Sequence, residues 1–554
     1  MSLTKAHNRM IENAQINVLD FIPPQYHADI KSGATTYDAT SNVQAALDAG
    51  TDIVFPKGTY LVNGNTSTAE PLTVNTNKRI DLQGSKLIRT TTTQGGFFKV
   101  TSGGDFFELR NGTLDSQNNT FNFYHLIDFN ASACDLLLDN VSLLNNCAGG
   151  ISSPTASQDT DLLYVYEAKN VYVNNCTFQL ASRQGISFIN GCDTVTIKNS
   201  RFEDCFLFGV DFEPNASPAA TDDMYETVII DGCVFKNNGS KSASVFVWSG
   251  VAIGPLAIES PHVNVAFITN LHITNNDFIS TDFVNEVGGT QSPALRINSQ
   301  KNVVFANNKI QNLAFINIGT TSASINYLNA VISNNFVDKS IGNHPSKINS
   351  YFFDKVVVAN NTLSELEIGS QESYTVDGNA FETASTYAVL PRTGSNGIIS
   401  NNNFDVGTYA VSTSSTTTEF LLVGNELNGS SLTGPSANLD VVRVGNSDNI
   451  VRASVLLEGD YSIISIPTGT ATTVADLEDT SNAGMIVVTD GGTRSGSFAL
   501  YGNFTDGTNN TSYLTNVQDS GHNGSALTLV GQTIKFTHTF GSTRNFKVNV
   551  VKLA

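Results

Sequence analysis

The fold class this chain predicts is all-β, a parallel β-helix solenoid, and three observations predict it. An eight-residue pattern recurs thirteen times between residues 80 and 427, and an internal repeat fixes architecture before any residue is given a role. Its clearest consecutive copies, VYVNNCTF at 171–178 and VTIKNSRF at 195–202, stand 24 residues apart, too short a step for a strand-helix unit. Each copy is an alternating β-rich stretch, then an Asn or Gly pair, then an apolar residue. That is a half-buried strand followed by a bend, because Asn and Gly tolerate left-handed backbone angles. Three short strands per turn, stacked so that Asn, Val, Ile and Phe lie on their own kind, give a β-helix. A repetitive β-sandwich or an adhesin is the competing architecture, and a register held this long disfavours it.

The elements follow in order. Residues 1–35 are polar, contain Pro23 and Pro24, and read as a connector. From Asp38, DATSNVQAALDAG places Val43, Ala46 and Leu47 on one face and stops at Gly50. That is a short N-terminal helix able to cap the open end of a solenoid. IVFPKGTYLV from Ile53 begins the first rungs, and the solenoid domain runs over 36–450. Steps longer than 24 residues mark insertions, which collect as loops on one face. Residues 451–554 contain separate strands such as GMIVVTD and SFALYGNF joined by Gly, Asn and Asp, and read as a small C-terminal β-sandwich.

The formal net charge of −20 argues against a nucleic-acid partner and an anionic membrane surface, but only weakly against an acidic polysaccharide. Cys176 and Cys233 occupy the same place in their repeats, which suits small core residues better than disulfides. No Cys-x-x-Cys pair exists, so neither a zinc nor a redox site is expected, and no cofactor. No signal peptide and no membrane-spanning segment is legible, which reads as a soluble chain made in the cytoplasm.

The repeat also acts as a ruler for shared faces. GISFIN from Gly185 aligns with GVDFEP from Gly209, where Val210 and Phe212 point inward, and Asp211 and Glu213 point outward. Continuing the frame to GVAIGP places Ala252 above Asp211 and Gly254 above Glu213. ALRIN then brings Arg296 and Asn298 onto the same line. Ser187 lies under Asp211, Tyr164 and Tyr166 one rung lower, and Asp128 two or three rungs down, as a distal subsite. Acids, an arginine and aromatics along one groove suit a glycan, whose sugars stack on rings and hydrogen-bond to polar side chains. Outward residues at i and i+2 sit roughly 6.5–7 Å apart, which leans towards an inverting glycosidase. Glu213 is assigned as acid and Asp211 as base. Glu203 and Asp204, on the turn leading into this strand, are reserve carboxylates. The plain alternative is a solvated strand face for the acids and a surface ion pair for Arg296. His125 and His262 lack a partner motif and read as incidental.

HNRMIENAQINVLDFIPP from His7, the helix ending ALDAG, and IVFPKGTYLV together resemble the entry region of pectate-lyase-like β-helix proteins. More narrowly they resemble bacteriophage tailspikes, although DFIPPQYHADIKSG replaces the family's usual DFGAVGDG turn. The resemblance implies a right-handed parallel β-helix and a homotrimer. It also implies an endo-glycosidase that hydrolyses bacterial capsule or O-antigen, and an end domain for trimerisation or carbohydrate binding. The protein would sit on a virion tail. With no sizeable head before residue 35, the expectation is a trimmed chain or docking through a short peptide on another tail protein. Two alternatives stay open: a polysaccharide lyase using Arg296 with the acids, and a non-catalytic glycan-binding spike.

Overall fold

The computed structural model describes residues 15–444 apart from segments 64–70, 91–95, 118–124, 147–159, 214–223, 240–253, 259–266 and 281–293 and shorter ones beyond 298. After 444 it describes the strands between Ser462 and Leu553. Among the described residues, every strand pairing within 16–444 is parallel, and each strand joins the one a full turn away in sequence. Three sheets result. The first holds the repeat strands, such as Asn170–Asn174, Cys192–Lys198 and Tyr225–Asp231. The second follows the bend, with Thr177–Gln179, Arg201–Glu203 and Val234–Lys236. The third closes the turn, with Leu163–Ala168, Gln184–Phe188, Phe208–Phe212, Gly254–Ile258 and Ala294–Ile297.

The repeat register is the strand register. Val171 pairs with Val195, Val195 with Val228, Val228 with Leu271 and Leu271 with Val303. One copy departs: Ile80 pairs with Leu109, not with Phe107. The cause is a wider bend, in which Gln83 and Gly84 both take positive φ before Leu87 rejoins Leu114 in frame.

The Asn pair divides its labour. The first member is left-handed, as at Asn275, Asn307, Asn334, Asn360 and Asn401, with Gly232, Gly378 and Gly424 in the same place. The second is buried and forms a ladder through Asn276, Asn308, Asn335, Asn361, Asn379, Asn402 and Asn425. Each ladder residue donates its backbone N–H to the Oδ1 of the next, at 2.9–3.0 Å. Beside it, Phe178, Phe202, Phe235 and Phe278 stack with ring centroids 4.8–4.9 Å apart, the spacing of adjacent strands. Cys134, Cys176, Cys192, Cys205 and Cys233 are free and buried, and burial pushes the thiols of Cys176 and Cys233 up to about 12. Cys147 lies outside the described residues.

The helix read between Asp38 and Gly50 spans Thr40–Ala49 and buries Val43, Ala46 and Leu47. The connector of residues 1–35 joins the solenoid from Ile16 onward. Ile16–Asn17 pairs with Asp52–Val54, and Val18, Leu19, Ile22 and Ile30 enter the core. Their apolar side chains gain more by burial than a free linker could. The solenoid's last described strand is Val441–Val444. Beyond it stand two antiparallel sheets, one of five strands and one of three. No helix among the described residues is long and apolar enough to cross a membrane.

Candidate active site

One outward file of side chains runs up the third sheet. By register, Lys99 lies under Asp128, Asp128 under Tyr164, Tyr164 under Ser187, and Ser187 under Asp211. Above Asp211 come Ala257, Arg296, Asn317, Asn349 and Glu367. Asp128 is thus three rungs below Asp211, and Arg296 two rungs above it. Asn298 follows the end of the Arg296 strand, and its carbonyl accepts a hydrogen bond from Tyr327 at 2.5 Å.

The frame expected through Ala252 and Gly254 is corrected. Gly254 pairs with Phe208 and Ala257 with Asp211. The physical reason is the inserted segment between the strands, which shifts the true frame past the GVAIGP match. A small residue still follows Asp211 in register, but it is Ala257. Ala252 and His262 lie outside the described residues.

The strand Phe208–Phe212 is buried throughout, and Asp211 is 5% exposed. The Phe212 ring stacks on Phe188 at 4.5 Å and sets the strand from beneath. The neutral amide of Gln184 donates to Asp211 Oδ2. Glu213, just past the strand, is a third exposed at its side chain, and its Oε2 lies 3.4 Å from Arg183 Nη2. Arg183 also reaches Asp161 Oδ1 through Nε at 3.0 Å and Ser187 Oγ through Nη2 at 3.3 Å.

Asp161 is fully buried and anchors the group. It accepts from Ser187 Oγ at 2.8 Å and from the Gln184 backbone N–H at 3.1 Å. Burial raises its carboxyl above the usual carboxylate range, against the opposing pull of the Arg183 charge and these hydrogen bonds. His125 Nδ1 accepts the Asp161 backbone N–H at 3.0 Å, and its ring stacks on Tyr164 at 4.2 Å. Tyr164 stacks in turn near Tyr166 at 6.4 Å. Burial first, then the nearby Asp161 charge, pushes the Tyr164 phenol up to about 12.

His125, Asp161, Arg183 and Gln184 thus join the residues read from the sequence. They were missed because they stand at or just before the starts of third-sheet strands, outside the eight-residue pattern. A faint signal existed: polar pairs, Thr160 with Asp161 and Arg183 with Gln184, stand at the entries to consecutive strands. Higher on the sheet, Glu365 and Glu367 are buried, and Glu367 Oε1 accepts from Tyr387 at 2.6 Å.

Glu203 and Asp204 belong elsewhere. Glu203 ends a strand of the second sheet, where Arg201 and Lys236 each hold its carboxylate at 2.8 Å. The hydrogen bond from Arg201 chiefly, with Lys236, depresses its pKa to about 2. Asp204 takes a positive φ at the corner and donates its backbone N–H to Lys236. Because the folded value lies below the unfolded one of about 4.3, Glu203 contributes stability above that pH and loses it as pH falls towards 2. Glu203→Gln should therefore lower the unfolding midpoint at pH 7 and match wild type near pH 2. Equal midpoints at pH 7, by circular dichroism, would remove this role.

The family model described as right handed beta helix region matches residues 98–255. Over that span the stacked parallel strands are similar to that family's fold. Among solved structures, the chain is similar to the catalytic unit of a thermostable alpha-1,3-glucanase from Streptomyces thermodiastaticus. That match has 12% identity, covers 79% of this chain and 69% of the other, and has a TM-score of 0.40. It is also similar to the tailspike protein of Escherichia coli bacteriophage HK620, solved with a pentasaccharide, at 12% identity, 97% and 94% coverage and a TM-score of 0.31. A third is the mannuronan C-5 epimerase A-module of Azotobacter vinelandii, at 12% identity, 80% and 98% coverage and a TM-score of 0.36. No curated protein matches the sequence.

Proposed function

We propose that this protein is an endo-acting glycoside hydrolase that cuts a bacterial surface polysaccharide, in the manner of a tailspike depolymerase. The observation that carries the reading is the third-sheet file. Two carboxylates, Asp211 and Glu213, stand two residues apart beside an aromatic shelf of His125, Tyr164 and Tyr166. The guanidinium of Arg183 favours the ionised form of Glu213, so Glu213 is the general base. Asp211, buried at 5% exposure, is the general acid. This reverses the assignment made from the sequence, which could not see Arg183.

In the reaction, Asp211 gives its proton to the glycosidic oxygen as the anomeric C–O bond breaks. Glu213 takes a proton from the water whose oxygen forms the new bond to that carbon. Separation of about 6.5–9.5 Å admits such a water and inverts the configuration. A lyase would instead use Arg296, two rungs above Asp211, as its base. Incubation with purified bacterial surface polysaccharides separates the readings. A hydrolase leaves ordinary reducing ends, and a lyase leaves ultraviolet-absorbing unsaturated ends. A glycan bound without fragments marks a non-catalytic spike.

The proposal includes a homotrimer. An outward file on the first sheet passes through Tyr172, Thr196, Ile229, His272, Val304, Val331, Val357, Thr375 and Ile398 without an Asp, Glu, Lys or Arg. Tyr172, Val357 and Ile398 are about two-fifths exposed. A largely apolar stripe of this length, without Asp, Glu, Lys or Arg, on a chain of net charge −20 suits burial against copies of itself. Val357→Lys should shift sedimentation towards monomer, and a wild-type protein that is monomeric at micromolar concentration would sink the trimer. The C-terminal sheets, as a sandwich, would serve trimerisation or carbohydrate binding, and the N-terminal end would meet another tail protein.

A further inference from the structure

We infer that Gln184 is a positioning residue of the cleavage site: its amide fixes which oxygen of Asp211 carries the proton, and stabilises the charge left when that proton goes. The inference rests on the reading of Asp211 as the general acid. Gln184 begins the third-sheet strand one rung below Asp211 and is 2% exposed, too buried to hold the substrate itself. Its Nε2 donates to Asp211 Oδ2. Its Oε1 accepts from Arg183 Nε at 2.9 Å and lies within hydrogen-bond reach of Ser187 Oγ. The arginine contact sets the orientation of the amide. An arginine Nε–H can only donate, so it needs the amide oxygen before it. Turned over, the amide would set N–H against N–H at Arg183 and oxygen against oxygen at Asp211. Arg183 is itself held, with Nε 3.0 Å from Asp161 Oδ1 and its backbone N–H donating to the Thr160 carbonyl at 3.1 Å. The Gln184 backbone N–H donates to the same Asp161 oxygen at 3.1 Å. The fully buried Asp161 thus fixes the guanidinium, the guanidinium fixes the amide, and the amide fixes Asp211.

A donor on Oδ2 leaves Oδ1 as the place for the Asp211 proton. In the cleavage step the Oδ1–H bond breaks, the proton passes to the glycosidic oxygen, and the bonding pair stays on the Asp211 carboxylate. The pair of the anomeric C–O bond leaves with the glycosidic oxygen. Negative charge therefore appears on a residue only 5% exposed, where water solvates it poorly. The Gln184 Nε2–H is aimed at that charge before it forms, so it stabilises the transition state without reorganisation. Burial and this hydrogen bond act in opposite directions. Burial keeps the proton on the resting carboxyl, and the amide eases its departure. Among the described residues, the charged and titratable groups around Asp211 are Glu213 two residues on, Arg183 and Asp161 in the network below, Arg296 two rungs above, and the buried phenol of Tyr225. A substitution at Gln184 leaves all of them present, so a shifted pH profile reports on the amide.

The test uses the full-length protein and the polymer it cleaves from a panel of purified capsular and O-antigen polysaccharides, read by new reducing ends. Gln184→Met keeps the volume and removes the donor. Gln184→Glu keeps the oxygen that faces Arg183 and Ser187 and replaces the donor with a second carboxyl. Gln184→Met should lower kcat about 10–100-fold, the worth of a hydrogen bond to a charged group, and leave KM within about two-fold. The alkaline limb of the pH–rate profile marks loss of the Asp211 proton. Without the donor the protonated form is favoured, so in Gln184→Met that limb should move up by about one pH unit. Gln184→Glu sets a like charge beside Asp211 and should move it further. Added to Asp211→Asn, Gln184→Met should cost less than about two-fold more, because the amide acts through the carboxyl. A folded Gln184→Met with the wild-type rate and profile overturns the inference and leaves the hydrolase standing. So does a loss that is equal with and without Asp211→Asn and moves no limb, the mark of a merely structural role. Should Gln184→Met fail to fold by circular dichroism, the same readings on Gln184→Glu decide. Full activity in Asp211→Asn, or no cleavage of any polymer in the panel, overturns both.

Discussion

Asp211→Asn and Glu213→Gln are each expected to slow polysaccharide cleavage by ~10²–10⁴-fold, the range that a positioned general acid or base supplies. Both replacements keep shape and remove only the proton chemistry. Asparagine at 211 can still meet the Gln184 amide, and glutamine at 213 can still reach Arg183 through its oxygen. Fold and oligomeric state should therefore match wild type by circular dichroism and sedimentation, and glycan binding should persist. The two variants are further expected to differ. A substrate with a good aryl leaving group does not need protonation, so Asp211→Asn should recover rate on it while Glu213→Gln should not. Recovery by Glu213→Gln instead would restore the assignment made from the sequence. If both variants cleave at the wild-type rate in folded form, the carboxylates are a solvated strand face and the site is elsewhere.

What could be read from the sequence follows from where the repeat reaches. The eight-residue pattern covers the first sheet, the bend and the second sheet, so Val171 over Val195 and Phe178 over Phe202 were legible as strand partners. The third sheet has no such phrase. Its frame could be carried from Ser187 to Asp211 across one short step, but failed across residues 240–253, where GVAIGP offered a false match. The groups that meet Asp211 and Glu213 came from Gln184 and from the Asp161–Arg183 pair, which no strand periodicity marks. Burial and ion pairing, not pattern, brought them to the site. The largely apolar file of the first sheet, by contrast, was present in plain sight as the second letter of each copy: Tyr172, Ile229, Val304, Val331, Val357 and Ile398. Seeing it required reading down the stack, not along the chain.

Asn335→Ala should be among the most damaging single changes in the solenoid, at about 3–5 kcal/mol, since two or three buried polar groups lose partners worth roughly 1–3 kcal/mol each. Asn335 Oδ1 accepts both the backbone N–H and the side-chain amide of Asn308, at 3.0 Å. Its Nδ2 donates to the carbonyl of Phe305 and to Asn361 Oδ1, at 2.9 Å. Alanine leaves the Asn308 N–H and the Phe305 carbonyl in a place no water reaches, with Asn335 itself 2% exposed. The chain supplies its own graded control. At the same place in a lower rung stands Ser200, whose Oγ accepts the Cys176 N–H at 3.0 Å and donates to the Lys198 carbonyl at 2.7 Å. Asn335→Ser keeps an acceptor but shortens the reach, so its loss should fall between wild type and alanine. The neighbouring Asn334 is left-handed and exposed, so Asn334→Gly should cost little. Because each rung contacts only its neighbours, the damage should be local first. Amide exchange should quicken at Asn308 and Val337 before the global transition moves. Equal midpoints and exchange for Asn335→Ala and wild type would mean that the stacked strands and phenylalanines hold the bend without the ladder.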